Sequence, residues 1–220
     1  MLLLALRGLP PSRRAFFRRF NMATSVVSIC NQALYFLGED AITALDDGTK
    51  AALLCNLLWP EVRDAVLADH PWNCAMIRDE LSQDATAPEY GFAYRYVLPT
   101  DPYCLRVVET DLDVYTDGKG DAAYPWKVEG RYLLIDATAV YVLYIARVTD
   151  VTQYSHQLSR AMAAKMAAEL AFPITRNPGI VQGLEELYEQ KLSDAKAIDA
   201  QEGTPNVFES NVLWYARIAR

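Results

Sequence analysis

The chain has 220 residues, 52% apolar and 22% charged, a balance that fits a folded protein and excludes an intrinsically disordered one. Its 28 acidic residues outnumber 21 basic ones and set a pI near 4.9, which argues against a general binder of nucleic acid. No apolar run reaches the roughly 18 residues of a membrane span. Cys30, Cys55, Cys74 and Cys104 form no Cys-x-x-Cys pair, so they read as reduced core residues of a cytoplasmic protein rather than as a zinc site or a disulfide framework.

The first segment stands apart. Residues 1–21 hold Arg7, Arg13, Arg14, Arg18 and Arg19 and no acid, which leaves 16 basic against 28 acidic residues in the rest. Leu2–Leu6 is too short for a signal-peptide core. Met22 opens a plausible N-terminus directly before a helical pattern. Residues 1–21 are therefore expected to be a basic extension, disordered or a misplaced start, ahead of a targeting sequence or a basic arm.

The first helix is expected at 24–37, capped by Thr24 or Ser25 and stopped by Gly38, with Val26, Ile29, Cys30, Ala33, Leu34 and Leu37 on its apolar face. Asp46-Asp47-Gly48 is turn chemistry. A second helix is expected over 49–70, its apolar face running through Leu53 or Leu54, Leu57 or Leu58, Val62, Ala65, Val66 and Ala68. Pro60 should bend or break it near Leu57.

From about residue 90 the period changes to two. Phe92, Tyr94, Tyr96 and Leu98 alternate with other residues, and Tyr103, Leu105 and Val107 alternate again after Pro102. Asp117-Gly-Lys-Gly-Asp121 reads as a turn between strands. Residues 124–135 read as two strands hinged at Glu129-Gly130. The stretch 139–148 is apolar on both faces and is the best candidate for a central strand. These strands are expected to form a twisted antiparallel sheet over about 90–149.

Helical spacing returns over 152–172, where Leu158, Met162, Met166 and Leu170 form one row among six alanines, with Pro173 as its end. Asn177-Pro178 opens a fourth helix over 178–201 with Ile180, Leu184, Leu187, Tyr188, Leu192, Ala195 and Ile198 as its stripe. The expected fold is α+β: an antiparallel bundle of about four helices with an inserted antiparallel β region and an extended C-terminal arm, 204–220.

Chemistry is hard to find in this pattern. The chain contains no P-loop, nucleophile elbow, paired-histidine zinc helix or Rossmann glycine fingerprint. Glu185, Glu186 and Glu189 read as a solvated helix face, and His156 beside Ser155 as a helix start. A hydrolase or transferase site would have to be sought around Asp69, His70 and Cys74. Neither catalytic, metal nor cofactor residues are expected. The arm is different, because it places Phe208, Trp214 and Tyr215 among Val212, Leu213, Ile218, Arg217 and Arg220. Such aromatic residues anchor interfaces.

Six segments carry a resemblance: NQALYFLGEDAI at 31–42, RDAVLADHPWNCA at 63–75, YVLPTDPYCLRV at 96–107, WKVEGRYLLID at 126–136, YIARVTD at 144–150 and LWYAR at 213–217. In this order the chain resembles the tail tubular protein A family, the head-to-tail adaptors of short-tailed bacteriophages. The resemblance implies a structural virion protein, assembled in the host cytoplasm as a twelve-subunit ring at the head-to-tail interface. DNA would pass through its channel without sequence-specific binding. One side would meet the portal protein and the other the nozzle or other tail proteins, with no cofactor and no membrane. Phe208, Leu213, Trp214, Tyr215, Arg217 and Arg220 would then face the portal. The alternative is a DNA-binding packaging or head-completion accessory that uses the arginines of 1–21.

Overall fold

Four helices, seven antiparallel strands and short 3-10 turns make up residues 25–112 and 124–202, which the computed structural model describes; the fold is α+β. Helix α1, Val26–Leu37, starts from a reciprocal cap in which the Ser28 amide donates to Ser25 Oγ at 3.1 Å and the Ser25 amide to Ser28 Oγ at 2.9 Å. It stops at Gly38, whose φ of +74° lies in the left-handed region. Asn31 then ties down the following loop: its Nδ2 donates to the Ile42 carbonyl and its Oδ1 accepts from the Ile42 amide, at 2.9 and 2.8 Å.

Helix α2, Lys50–Asp69, is capped by Thr49 and runs without a break through Pro60. The proline removes the donor for the Asn56 carbonyl, but Asn56 and Pro60 both lie on the exposed face, where water can replace it. The buried face is Ala52, Cys55, Trp59, Val62, Val66 and Leu67, with Leu54 and Leu58 half-buried beside it. Of the expected stripe, Ala65 is exposed, as are Leu53 and Leu57.

The strands begin at residue 76, not near 90, and they form two sheets instead of one. Strands β1 (Met76–Glu80), β7 (Tyr141–Ala146) and β4 (Cys104–Thr110) make one sheet in the order β1-β7-β4. Strands β2 (Ser82–Gln83), β3 (Tyr94–Val97), β6 (Tyr132–Ile135) and β5 (Trp126–Glu129) make the other, in the order β2-β3-β6-β5. The chain crosses from one sheet to the other at buried Leu81. As the alternation predicts, Tyr94, Tyr96 and Leu98 turn to a shared β core while Val97 faces out. The β5–β6 hairpin closes at Gly130, φ +61°, with Glu129 opposite Tyr132.

Strand β7 is the central strand its sequence promises. Val142, Tyr144 and Ala146 enter the β core, and Ile145 enters the helical core on the other side. Strand β4 departs from simple alternation. Its register shifts between Cys104 and Arg106 and again between Val107 and Glu109. These irregularities let Cys104 and Val107 stay in the β core while Leu105 and Val108 pack on the helices.

Helix α3, His156–Thr175, follows a 3-10 turn at Val151–Gln153 and starts at Ser155, whose Oγ accepts from the Leu158 amide. It begins four residues later than its pattern suggests and includes Pro173, ending instead at Arg176 in the left-handed region. Glu169, which loses its donor to Pro173, is exposed, and the Lys50 ammonium donates to the Pro173 carbonyl. All four residues of the Leu158–Leu170 row and all six flanking alanines are buried, and α3 packs against α1, α2 and helix α4, Val181–Asp199. Asn177 caps a 3-10 turn, Pro178–Ile180, that leads into α4. The α4 stripe is Leu184, Tyr188, Leu192, Ala195 and then Asp199; Ile198 is 39% exposed. Four residues separate Ala195 from Asp199, so helical spacing turns the carboxylate inward and the isoleucine out.

Candidate functional site

Sequence chemistry converges at the end of α2, in Asp69-His-Pro-Trp-Asn-Cys74, and the structure brings α4 to the same place. Trp72 is fully buried. Its Nε1 donates to the Val66 carbonyl at 2.9 Å, which satisfies one of the last carbonyls of α2, and the His70 ring meets it edge-on with centroids 4.7 Å apart. Asp199 arrives from α4. One carboxylate oxygen accepts from the Asn73 amide at 3.1 Å and the other lies 3.2 Å from His70 Nε2. Asn73 Nδ2 completes the joint by donating to the Asp199 carbonyl at 2.8 Å. About three helical turns before Asp199 on α4, the Tyr188 hydroxyl donates to Asp69 at 2.8 Å.

This arrangement fastens helices; it does not build a nucleophile. His70 faces Asp199, while Asp69 is occupied by Tyr188, so the three sequence candidates do not form a relay. Burial pushes the Cys74 thiol up to about 11, helped by the nearby Asp199 charge, which keeps it a thiol at neutral pH. Burial also holds His70 below its ordinary 6.5; Asp199 opposes that shift, and Lys196 and Arg106 reinforce it. The folded chain therefore resists a proton that the unfolded chain accepts. Stability should be fully present above about pH 6.5 and fall as pH drops through that value toward the lower folded pKa. A urea-midpoint series from pH 8 to 5 on the natural chain and on His70→Gln measures this. The expected result is a smaller acid loss in the variant.

A second joint links the β region to the bundle. Arg131, just after the hairpin glycine, donates to the carbonyls of Cys104 at 2.8 Å, Pro99 at 2.5 Å and Leu98 at 3.4 Å. Its guanidinium lies 4.1 Å from the centre of the Tyr103 ring, and that of Arg147 lies 4.3 Å from it. Arg147 continues to Asp64 on α2, with Nε and Nη2 at 2.8 and 2.5 Å. One loop, Leu98–Cys104, is thus held from the hairpin and from β7, and β7 is held to α2.

The remaining sequence candidates are scattered. His156 is exposed at the start of α3. Glu186 and Glu189 are exposed, and Glu185 sits 3.5 Å from Lys165. Asp47 shapes the turn before α2 by accepting from the Thr49 hydroxyl and the Thr49 and Thr43 amides, which hold its carboxyl below the usual range. All four cysteines are free, three of them buried. No group of His, Cys, Asp and Glu among the described residues is suited to hold a metal ion. No helix among them is long and apolar enough to cross a membrane. Phe208, Leu213, Trp214, Tyr215, Arg217 and Arg220 lie outside the described residues, as do residues 1–21 and the 117–121 turn.

Sequence reasoning missed Asp199, Asn73, Arg131 and Arg147. Asp199 had one usable signal, its place four residues after Ala195, and its polarity concealed it. The arginines had none, because their partners are backbone carbonyls and residues far away in sequence. In these joints the polar side chains hold one element to another. Against known proteins, no family model matches the chain and no curated protein matches it.

Proposed function

We propose that the chain is a structural adaptor subunit, of the head-to-tail type found in short-tailed bacteriophages, which joins a portal to a tail as part of a ring around the DNA channel. One observation carries this reading. The segments that give the resemblance, in their order along the chain, supply most side chains of these joints, to which α4 adds Tyr188 and Asp199. Asn31 and Ile42 lie in the first, Asp64 and Asp69–Asn73 in the second, Tyr103 in the third, Arg131 in the fourth and Arg147 in the fifth. A resemblance concentrated at architectural positions, with Asp64, Asp69, His70 and Asp199 engaged in structural bonds, favours a scaffold over a catalyst. The acidic balance fits a channel, since phosphate binding strengthens with every basic contact.

The portal-facing surface in this reading is the arm, 204–220, with Phe208, Leu213, Trp214, Tyr215, Arg217 and Arg220. Each large aromatic buries about 150–250 Å², and at about 25 cal/mol per Å² one such anchor contributes several kcal/mol before ordering costs. The full chain should bind an isolated portal ring and form a twelve-subunit collar visible by electron microscopy. A chain lacking residues 205–220 should lose that binding. Equal binding by the truncated chain would remove the arm from the interface, and a complex without a collar would remove the adaptor reading.

A further inference from the structure

Helix α2 carries an apolar surface that neither core uses. Leu53 and Leu57 are 66% and 67% exposed one turn apart, and exposed Pro60 extends the row. Half-buried Leu54 and Leu58 border it. A single exposed leucine is ordinary, whereas a continuous apolar stripe on a helix marks a contact.

The course of the chain indicates what covers it. Asp199 is bonded to Asn73 and His70 at the end of α2, and the described residues stop three positions later, at Glu202. The arm therefore departs beside the C-terminal end of α2. From Asp69 back to Leu57 the helix axis measures about 18 Å, and passing halfway around a helix about 10 Å wide adds roughly 16 Å sideways, a path of about 25 Å. The residues from Glu202 to Leu213 span at most about 36–40 Å, so Leu213 and Trp214 reach the stripe with slack. The charges follow the same order. Beyond Leu53, toward the start of α2, lie exposed Asp46 and Asp47; beyond Trp214 lie Arg217 and Arg220.

We propose that in the free subunit the arm lies back on its own α2, with Leu213 and Trp214 against Leu53 and Leu57 and its arginines toward Asp46 and Asp47. This inference rests on the adaptor reading for its purpose. The same apolar residues have an inner seat before assembly and an outer one on the partner, so the free subunit keeps its docking surface covered and exchanges one contact for the other.

Cross-linking of the full chain tests this. With Leu57→Cys and Leu213→Cys together, mild oxidation should give an intrachain disulfide at least about tenfold faster than Gln182→Cys with Leu213→Cys, because docking raises the local thiol concentration. Cross-linked monomers are the expected product. Cross-linked dimers would assign the stripe to a second copy, and a rate equal to the control would leave the arm undocked; either overturns the proposal. A dye that fluoresces on apolar surface provides a second measurement. Removing residues 205–220 should raise its binding, and Leu53→Ser with Leu57→Ser in the truncated chain should reverse the rise; unchanged binding on truncation also overturns it. Portal binding is scored separately, so an arm that docks on α2 yet binds no portal refutes the adaptor reading alone.

Discussion

Replacing Trp72 with alanine is expected to lower stability by about 3–5 kcal/mol, the range for deleting a large aromatic from a packed core. The side chain is fully buried, so little of its cavity can be filled by water or by a neighbour moving in. The substitution also strips the Val66 carbonyl of its donor and the His70 ring of its edge contact. Against the roughly 5–15 kcal/mol that holds a typical domain together, the loss brings the chain near its unfolding threshold. The urea midpoint should fall with the slope unchanged, which marks a loss of stability in an intact two-state unit. Trp72→Phe divides the effect. It keeps most of the volume, orphans the carbonyl and should cost about 1–2 kcal/mol. Equal losses in the two variants would mean that the hydrogen bond, and not the packing, secures the end of α2.

Arg131→Ala is expected to cost about 2–3 kcal/mol, since charge-assisted bonds to carbonyls contribute more than neutral ones and three carbonyls share this guanidinium. The damage should be local. Amide hydrogen exchange should rise most over Leu98–Cys104, the loop whose carbonyls the side chain gathers. Arg131→Lys should recover less than half of the loss, because an ammonium is a point donor and cannot span the Pro99 and Cys104 carbonyls as a planar fork does. Full rescue by lysine would reduce the site to simple charge.

The sequence was most readable where a rule is local. Ser25, Gly38 and Thr49 announced helix boundaries because capping depends on a few neighbouring atoms, whereas Asn177 marks a three-residue 3-10 turn ahead of α4. The apolar run of β7 announced a central strand because both of its faces are covered. Legibility failed where the deciding partner is distant. Met-Ile-Arg-Asp-Glu at 76–80 shows no strand pattern, yet it pairs with β7, more than 60 residues away. Pro60 and Pro173 read as breaks, but the carbonyls they leave without a donor belong to exposed Asn56 and Glu169, where water can reach them. In β4 the two register shifts replace alternation with a period near three, because the strand serves two cores at once. Asp199 had the spacing of a buried position, but its partners His70 and Asn73 lie more than 120 residues away. The arm was the clearest candidate site in sequence, and it lies outside the residues whose structure is described.

Strand β7 has a mechanical consequence. Ile145 belongs to the helical core and Tyr144, its neighbour, to the β core, while Arg147 at its exit grips Asp64 on α2. The two cores share this strand as a common wall, so a change that displaces β7 disturbs both at once, and the Arg147 contact carries the displacement to α2.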